Sequence, residues 1–194
     1  MAFINEQRKE INCKVVYFGP PMCGKSTSLR YIFKNVKDEK RGELVSLSTS
    51  ADRTLYFDFV PLTIGKFKNF QVRLHLYTVP GDVAYEAARK IIAKGVDGVV
   101  FLVDSQLEQL EANMASMMEL REIIENEGGD FAEVPMVIQY NKRDLSNAVP
   151  IVELRKLLNQ RKVPDFETIA TEGRGVFESL KSIGKQVLKS LKTA

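Results

Sequence analysis

Gly19-Pro20-Pro21-Met22-Cys23-Gly24-Lys25-Ser26 is a complete G-x-x-x-x-G-K-S run. Residues of these types at this spacing can hold a phosphate chain. Backbone N–H groups of such a loop wrap an anion at a helix N-terminus, where the helix dipole also favours negative charge. In this reading Lys25 reaches the β- and γ-phosphates and the Ser26 hydroxyl ligates Mg²⁺. Gly19, Pro20, Met22, Cys23, Gly24, Lys25, Ser26 and Thr27 are the candidate phosphate-binding residues. The bland alternative is a plain Gly/Pro turn between a strand and a helix. The context speaks against it, because the apolar run Val15-Val16-Tyr17-Phe18 precedes the motif and a helix-like run from Leu29 to Val36 follows.

A second constellation, Asn141-Lys142-Arg143-Asp144, closes another apolar run. An aspartate there accepts from both the ring N–H and the exocyclic amine of guanine, a pair that adenine does not offer. The Asn141 amide can bond guanine N7 and neighbouring loop groups, and the Lys142 stem can cover the base. Alone, an N-K-x-D run is a charged turn. Downstream of a phosphate loop and at the end of a buried strand it reads as a base-recognition loop. Ala170-Thr171-Glu172-Gly173 closes the last strand and can offer a backbone N–H to the guanine carbonyl.

Positioning these loops takes a sheet. Strands are expected at Cys13 to Phe18, Leu55 to Leu62, Phe70 to Val79, Val96 to Val103, Val134 to Tyr140 and Phe166 to Ala170. In the third, Val72, Leu74, Leu76 and Thr78 alternate with Arg73, His75, Tyr77 and Val79, so one face is buried. Ile64 to Asn69 reads as a hairpin turn, which makes the second and third strands antiparallel. Helices are expected from Lys25 to Val36, from Val83 to Ile92, from Leu107 to Ile124, from Val149 to Leu158 and from Val176 to Leu191. The order predicts an α/β fold: a six-stranded, mostly parallel sheet with helices on both faces, as in phosphate-loop nucleoside triphosphatases. Its ligand belongs at the carboxyl ends of the strands, where the suspicious loops fall. Lys37 to Thr54 reads as a long mobile connection beside the phosphates.

The 194 residues suit one domain, and 44% hydrophobic with 27% charged residues is a soluble globular composition. No apolar run approaches the roughly 20 residues of a membrane helix. Neither a signal peptide nor a lipidation motif is expected, since residue 2 is Ala2. A net charge of +3 does not point to nucleic acid. The cysteines, Cys13 and Cys23, are read as free in a reducing compartment. Cys23 is read as a small loop residue, with redox sensing as the alternative. His75, the single histidine, is read as a packing residue, and the methionines at 114 and 117 as core. Lys181, Lys185, Lys189 and Lys192 share one face of the last helix. A solvated face is the first reading, and weak attraction to an anionic membrane surface is the other.

The whole chain resembles the Ras-like small GTPases, and more closely the bacterial MglA-type polarity and gliding-motility GTPases. The specific matches are Arg53-Thr54-Leu55 followed by Phe57-Asp58-Phe59, Leu76-Tyr77-Thr78-Val79-Pro80-Gly81, Gly95-Val96-Asp97-Gly98, and Ile138-Gln139-Tyr140-Asn141-Lys142-Arg143-Asp144-Leu145. The resemblance implies one G domain over residues 1–194, with GTP/GDP and Mg²⁺ as ligands. It implies Thr54 as the switch-one ligand of Mg²⁺ and γ-phosphate, Gly81 as a further phosphate contact, and Arg53 as an arginine finger supplied in cis. Without the resemblance, Arg53-Thr54 reads equally as a solvated strand edge. Thr78 stands where most small GTPases carry the aspartate of D-x-x-G, with Asp58 as a candidate replacement near the metal. The implied partners are a dimeric Roadblock-fold regulator and polarity, gliding or pilus effectors at the switch loops. The chain itself is implied to be a monomer in the cytoplasm, recruited to a pole, with neither nucleic-acid binding nor membrane insertion.

Two departures bear on hydrolysis. Asp82 stands where that group has a water-orienting glutamine, and Pro21 where it usually has glycine. Aspartate is one methylene shorter, donates no amide N–H and brings charge towards an anionic phosphate. Proline fixes φ, removes an N–H and adds bulk. The expectation is a guanine-nucleotide switch that hydrolyses GTP slowly, with Arg53 and Asp82 as its catalytic residues. The alternative is a non-hydrolysing, persistently GTP-bound polar scaffold. A phosphate-loop kinase or ATPase is a third reading, which the N-K-R-D run disfavours.

Overall fold

In a computed structural model, the structure describes residues 2–48, 54–81 and 85–193. Eight strands, β1 (Phe3–Asn5), β2 (Glu10–Phe18), β3 (Val45–Ser48), β4 (Thr54–Phe67), β5 (Phe70–Thr78), β6 (Gly98–Asp104), β7 (Met136–Asn141) and β8 (Asp165–Glu167), form one sheet in the order β3-β4-β5-β2-β6-β7-β8. β5, β2, β6, β7 and β8 run parallel. β3 and β4 continue the sheet antiparallel, and β1 pairs antiparallel with the first half of β2. Five helices, α1 (Lys25–Asn35), α2 (Glu86–Ala93), α3 (Leu110–Asn126), α4 (Ile151–Leu158) and α5 (Val176–Thr193), cover it.

Burial follows the layers. Every residue of β6 and β7 is buried, as strands covered on both faces must be. One core lies on the α1 and α5 side and contains Val15, Tyr17, Leu29, Leu76, Ile183 and Val187. The other lies under α2, α3 and α4 and contains Val16, Phe18, Phe101, Leu120, Tyr140 and Leu154. β2 feeds both, because Val15 to Phe18 point alternately to the two sides.

The expected six strands are present, and two more accompany them. β1 has three residues, too few for a periodic signal, and it forms because β2 leaves one edge open below β6. β3 corrects the reading of Lys37 to Thr54 as an unstructured connection. A 3₁₀ turn, Asp38–Lys40, is pinned by Arg41, which bonds Asp38 and the Phe33 carbonyl and lies 3.8 Å over the Phe33 ring. β3 then pairs with β4, and Thr54 opens that strand. The expected turn at Ile64 to Asn69 is shorter. β4 runs on to Phe67 through a bulge between Thr63 and Gly65, and only Lys68 and Asn69 reverse the chain.

His75 is on the outer face of β5, with its ring 5.4 Å edge-on from Phe59. The methionine stripe is only partly core. Met117 packs inward, but Met118 is 64% exposed, and Met114 and Met118 line a cavity of about 590 Å³ beside α4. α4 has eight residues against seventeen in α3, too short to cover the whole stripe.

Candidate nucleotide site

β2 ends at Phe18 and the chain turns at once into the loop Gly19 to Gly24. Gly19, Met22 and Gly24 take positive φ values of 146°, 58° and 104°. That succession curls main-chain N–H groups towards one side, the geometry of an anion nest. Gly24 is the N-cap of α1 and makes no side-chain cap hydrogen bond, so the positive end of the helix dipole faces the loop. Lys25 is 7% exposed, and its ammonium donates to the Gly19 and Pro20 carbonyls at 2.8 and 2.7 Å. Burial lowers its pKa. Its hydrogen-bond acceptors are these neutral carbonyls and the Cys23 sulfur, not a carboxylate, which leaves the positive charge for a phosphate.

Cys23 is fully buried and its Sγ lies 3.7 Å from the Lys25 ammonium. Burial outweighs that neighbour and pushes the thiol pKa up. Cys13 is also buried and free, with its pKa pushed up to about 12. Buried thiols with raised pKa values are inert, in line with the reading of Cys23 as a small loop residue.

Asn141, at the end of β7, ties the two motifs together. Its Nδ2 donates to the Cys23 carbonyl at 2.8 Å. Its Oδ1 accepts from the Ala170 N–H at 2.9 Å and from the Thr168 hydroxyl at 3.2 Å. Gly24 is obligatory beside it, because a Cβ there would sit 2.2 Å from Asn141 Nδ2. The phosphate loop, the N-K-R-D loop and the Ala170 loop therefore meet at one buried amide.

Around that amide the loop residues divide their work. Lys142 has φ +63° and pairs with the buried Asp104 at the end of β6, which holds its aliphatic stem in place. Arg143 bonds Glu167 and the Val149 carbonyl, a structural role. Asp144 is exposed, and among the described residues its carboxylate has no hydrogen bond or ion pair. It is free to accept from a base. Thr171 is exposed, and its N–H likewise donates to nothing among the described residues.

On the α1 side, Asp58 is fully buried opposite Thr78 across β4 and β5. The Thr78 hydroxyl accepts from the Asp58 N–H at 2.7 Å and donates to its Oδ2 at 3.2 Å. Ser46 of β3 donates to the other carboxylate oxygen. Alternation along the strands marked Thr78 as inward-facing. That Asp58 is its partner needed the hairpin register.

Pro80 to Lys90, which the resemblance implies to be switch two, follow β5. Gly81 packs directly on the phosphate loop: a Cβ there would lie 2.5 Å from Pro21 Cα. The structure adds a residue that the sequence did not single out. Arg89 of α2 is buried, its Nε donates to Glu119 of α3 at 2.7 Å, and its Nη1 donates to the Pro80 carbonyl at 3.4 Å. An arginine amid the apolar spacing of that helix was the available signal. Of the expected site residues, Arg53 and Asp82 lie outside the described residues, and of Thr54 only the main chain is described.

Among the described residues no three His, Cys, Asp or Glu side chains converge on a metal position. Mg²⁺ does not require one, since it is held by one or two protein oxygens together with phosphates and water. The Ser26 hydroxyl on the first turn of α1 and the buried Asp58–Thr78 pair are oxygen donors of the suitable kind.

Residues 2–187 match the model of the ADP-ribosylation factor family. The chain is 55% identical over 192 residues to the Mutual gliding-motility protein MglA of Myxococcus xanthus (strain DK1622), covering 99% of this chain and 98% of that one. It is 29% identical over 140 residues to the human ADP-ribosylation factor-like protein 4A, covering 69% of this chain and 66% of that protein.

Proposed function

Because the chain belongs to the ADP-ribosylation factor family, as an MglA-type small GTPase, we propose that it is a guanine-nucleotide switch for cell polarity and for gliding or pilus motility that cleaves GTP slowly. The observation that carries the slow step is the contact between Pro21 and Gly81. Both residues adjoin the space in which water must attack the γ-phosphate, and Asp82 follows directly. A proline in the loop wall and a carboxylate in place of an amide both act against that water.

Guanine is read by Asp144, with a main-chain N–H of Ala170 or Thr171 to the base carbonyl. Gly19, Pro20, Met22, Cys23, Gly24, Lys25, Ser26, Thr27 and Gly81 cradle the phosphates. Ser26 and Thr54 would hold Mg²⁺, with Asp58 as the candidate replacement near it for the missing D-x-x-G aspartate. When bound, the ion offsets the negative charge that builds on the phosphates. Arg53 serves as the arginine finger. These assignments rest on the resemblance and on the loop geometry above. Output is partner binding: the switch loops order on γ-phosphate and relax without it. The partners are a Roadblock-fold dimeric regulator and motility effectors, met by a monomer in the cytoplasm and drawn to a pole. That the relative's name concerns gliding motility supports this setting.

Asp82 and Pro21 together also favour a stronger form, in which the chain is a scaffold that stays GTP-bound. Identifying the nucleotide that co-purifies with the protein separates the outcomes. Bound GTP supports slow cleavage, and GTP that survives for hours after purification supports the scaffold. Bound GDP alone contradicts both, and an adenine nucleotide removes the guanine assignment.

A further inference from the structure

α2 buries one side, and that side is not wholly apolar. Glu86 and Lys90 pair on the exposed side of the helix. Arg89 turns inward instead and is 6% exposed, on the same helix as the buried Ala93. A buried ion pair adds little to stability, because the desolvation of both charges offsets their attraction. An apolar residue would fill this place at lower cost. What arginine supplies is direction, a planar fork with donors at fixed angles. Its Nε donates to Glu119 Oε1, in the middle of α3, at 2.7 Å, and its Nη1 donates to the Pro80 carbonyl at 3.4 Å. The fork thus ties the residue before Gly81 to α3, which packs on β6.

The carbonyl that Arg89 holds shares its peptide plane with the Gly81 N–H. In a trans peptide the two point in opposite directions. With the Pro80 oxygen drawn towards Arg89, the Gly81 N–H is turned away from it. That N–H donates to nothing among the described residues. Gly81 itself rests on Pro21, so the free donor stands at the phosphate loop. Charge reaches the same place. Burial is the largest cause of the lowered Lys25 pKa, but Arg89 lowers it further and Glu119 raises it. The pair therefore lies within electrostatic reach of the ammonium that serves the phosphates.

We propose that Arg89 is a positioning residue for recognition of the γ-phosphate. Clamped by Glu119, it orients the Pro80–Gly81 peptide so that the Gly81 N–H is presented to the γ-phosphate, and so sets the preference for GTP over GDP. The inference rests on the guanine-nucleotide reading above, with Gly81 as a phosphate contact. GDP has no γ-phosphate for that donor to meet, so the clamp acts on one nucleotide alone. Arg89 works through the peptide it holds and touches no reacting atom. A staple that only fixed α2 to α3 would act on stability, and on both nucleotides alike.

The test is equilibrium binding of GDP and of a non-hydrolysable GTP analogue, both with Mg²⁺, to the full chain, Arg89→Lys and Glu119→Gln, with urea midpoints beside them. Lysine keeps a cation for Glu119 but has no fork to reach both acceptors. Arg89→Lys should bind the GTP analogue about tenfold more weakly, the worth of one hydrogen bond from a charged donor, with GDP affinity unchanged. Glu119→Gln should shift the ratio in the same direction and by less, since its amide oxygen still accepts from Arg89. Should Arg89→Lys fail to fold, Glu119→Gln makes the comparison alone. Both nucleotides weakened alike, or an unchanged ratio of GTP to GDP affinity, would overturn the inference and leave the guanine reading in place. A parent that binds no guanine nucleotide would remove the reading and the inference together.

Discussion

Gly81 rests on Pro21 so closely that a methyl group cannot come between them. A Cβ on Gly81 would meet Pro21 Cα at 2.5 Å and Pro21 N at 2.9 Å. The phosphate loop and the start of switch two are thus one packed unit directly before Asp82. Gly81→Ala should push switch two off the loop. The expected result is about tenfold weaker GTP binding with GDP binding nearly unchanged, since overpacking costs about 1–3 kcal/mol. Pro21→Gly should not rescue it, because the clash is with backbone atoms. Fluorescent-nucleotide displacement measures both affinities.

Asn141→Ala removes the amide that joins three loops. It leaves the Cys23 carbonyl and the Ala170 N–H short of a partner in a buried place, while the Thr168 hydroxyl keeps the Tyr140 carbonyl. Such a loss costs about 1–3 kcal/mol per unsatisfied group. Lower stability in urea and weaker binding of GTP and GDP alike are expected. A variant as stable as the parent would mean that the amide is not the tie described.

Asp144→Asn should leave the fold alone, because the Asp144 carboxylate is exposed and unpaired among the described residues. Guanine affinity should fall about 10- to 100-fold, the worth of hydrogen bonds to a charged acceptor. Xanthine nucleotide, with a carbonyl in place of the exocyclic amine, should gain. Competition binding with the two nucleotides reads the exchange.

The pH dependence of stability turns on one imidazole. Burial first, and then the neighbouring Arg73, lower the His75 pKa below the ordinary 6.5. The unfolded chain therefore binds a proton that the folded chain resists, and His75 costs stability as pH falls below about 6.5. Above that value it is neutral in both states and contributes no slope. Urea midpoints of the parent and of His75→Gln should diverge between pH 7 and about 5 and agree above.

How much of this was legible in the sequence differs by element. β6 and β7 announced themselves through unbroken apolar runs, and both end on loops that carry the chemistry. β3 did not, because its serines read as loop. It is a strand only because β4 supplies a partner, including Asp58 for Ser46. Spacing gave the phosphate loop and Asn141 as separate motifs. Their junction through the Cys23 carbonyl is a tertiary fact, spanning 118 positions. Likewise, that Pro21 and the residue before Asp82 touch is invisible until the sheet brings switch two against the loop.

Single-turnover GTP cleavage with Mg²⁺ tests the central claim most directly, comparing the parent, Asp82→Gln, Pro21→Gly and the pair. The account predicts a slow parent, faster cleavage in each single variant and the fastest in the pair. A parent that cleaves readily, or one that Asp82→Gln slows, would make Asp82 itself the group that orients the water and would contradict it.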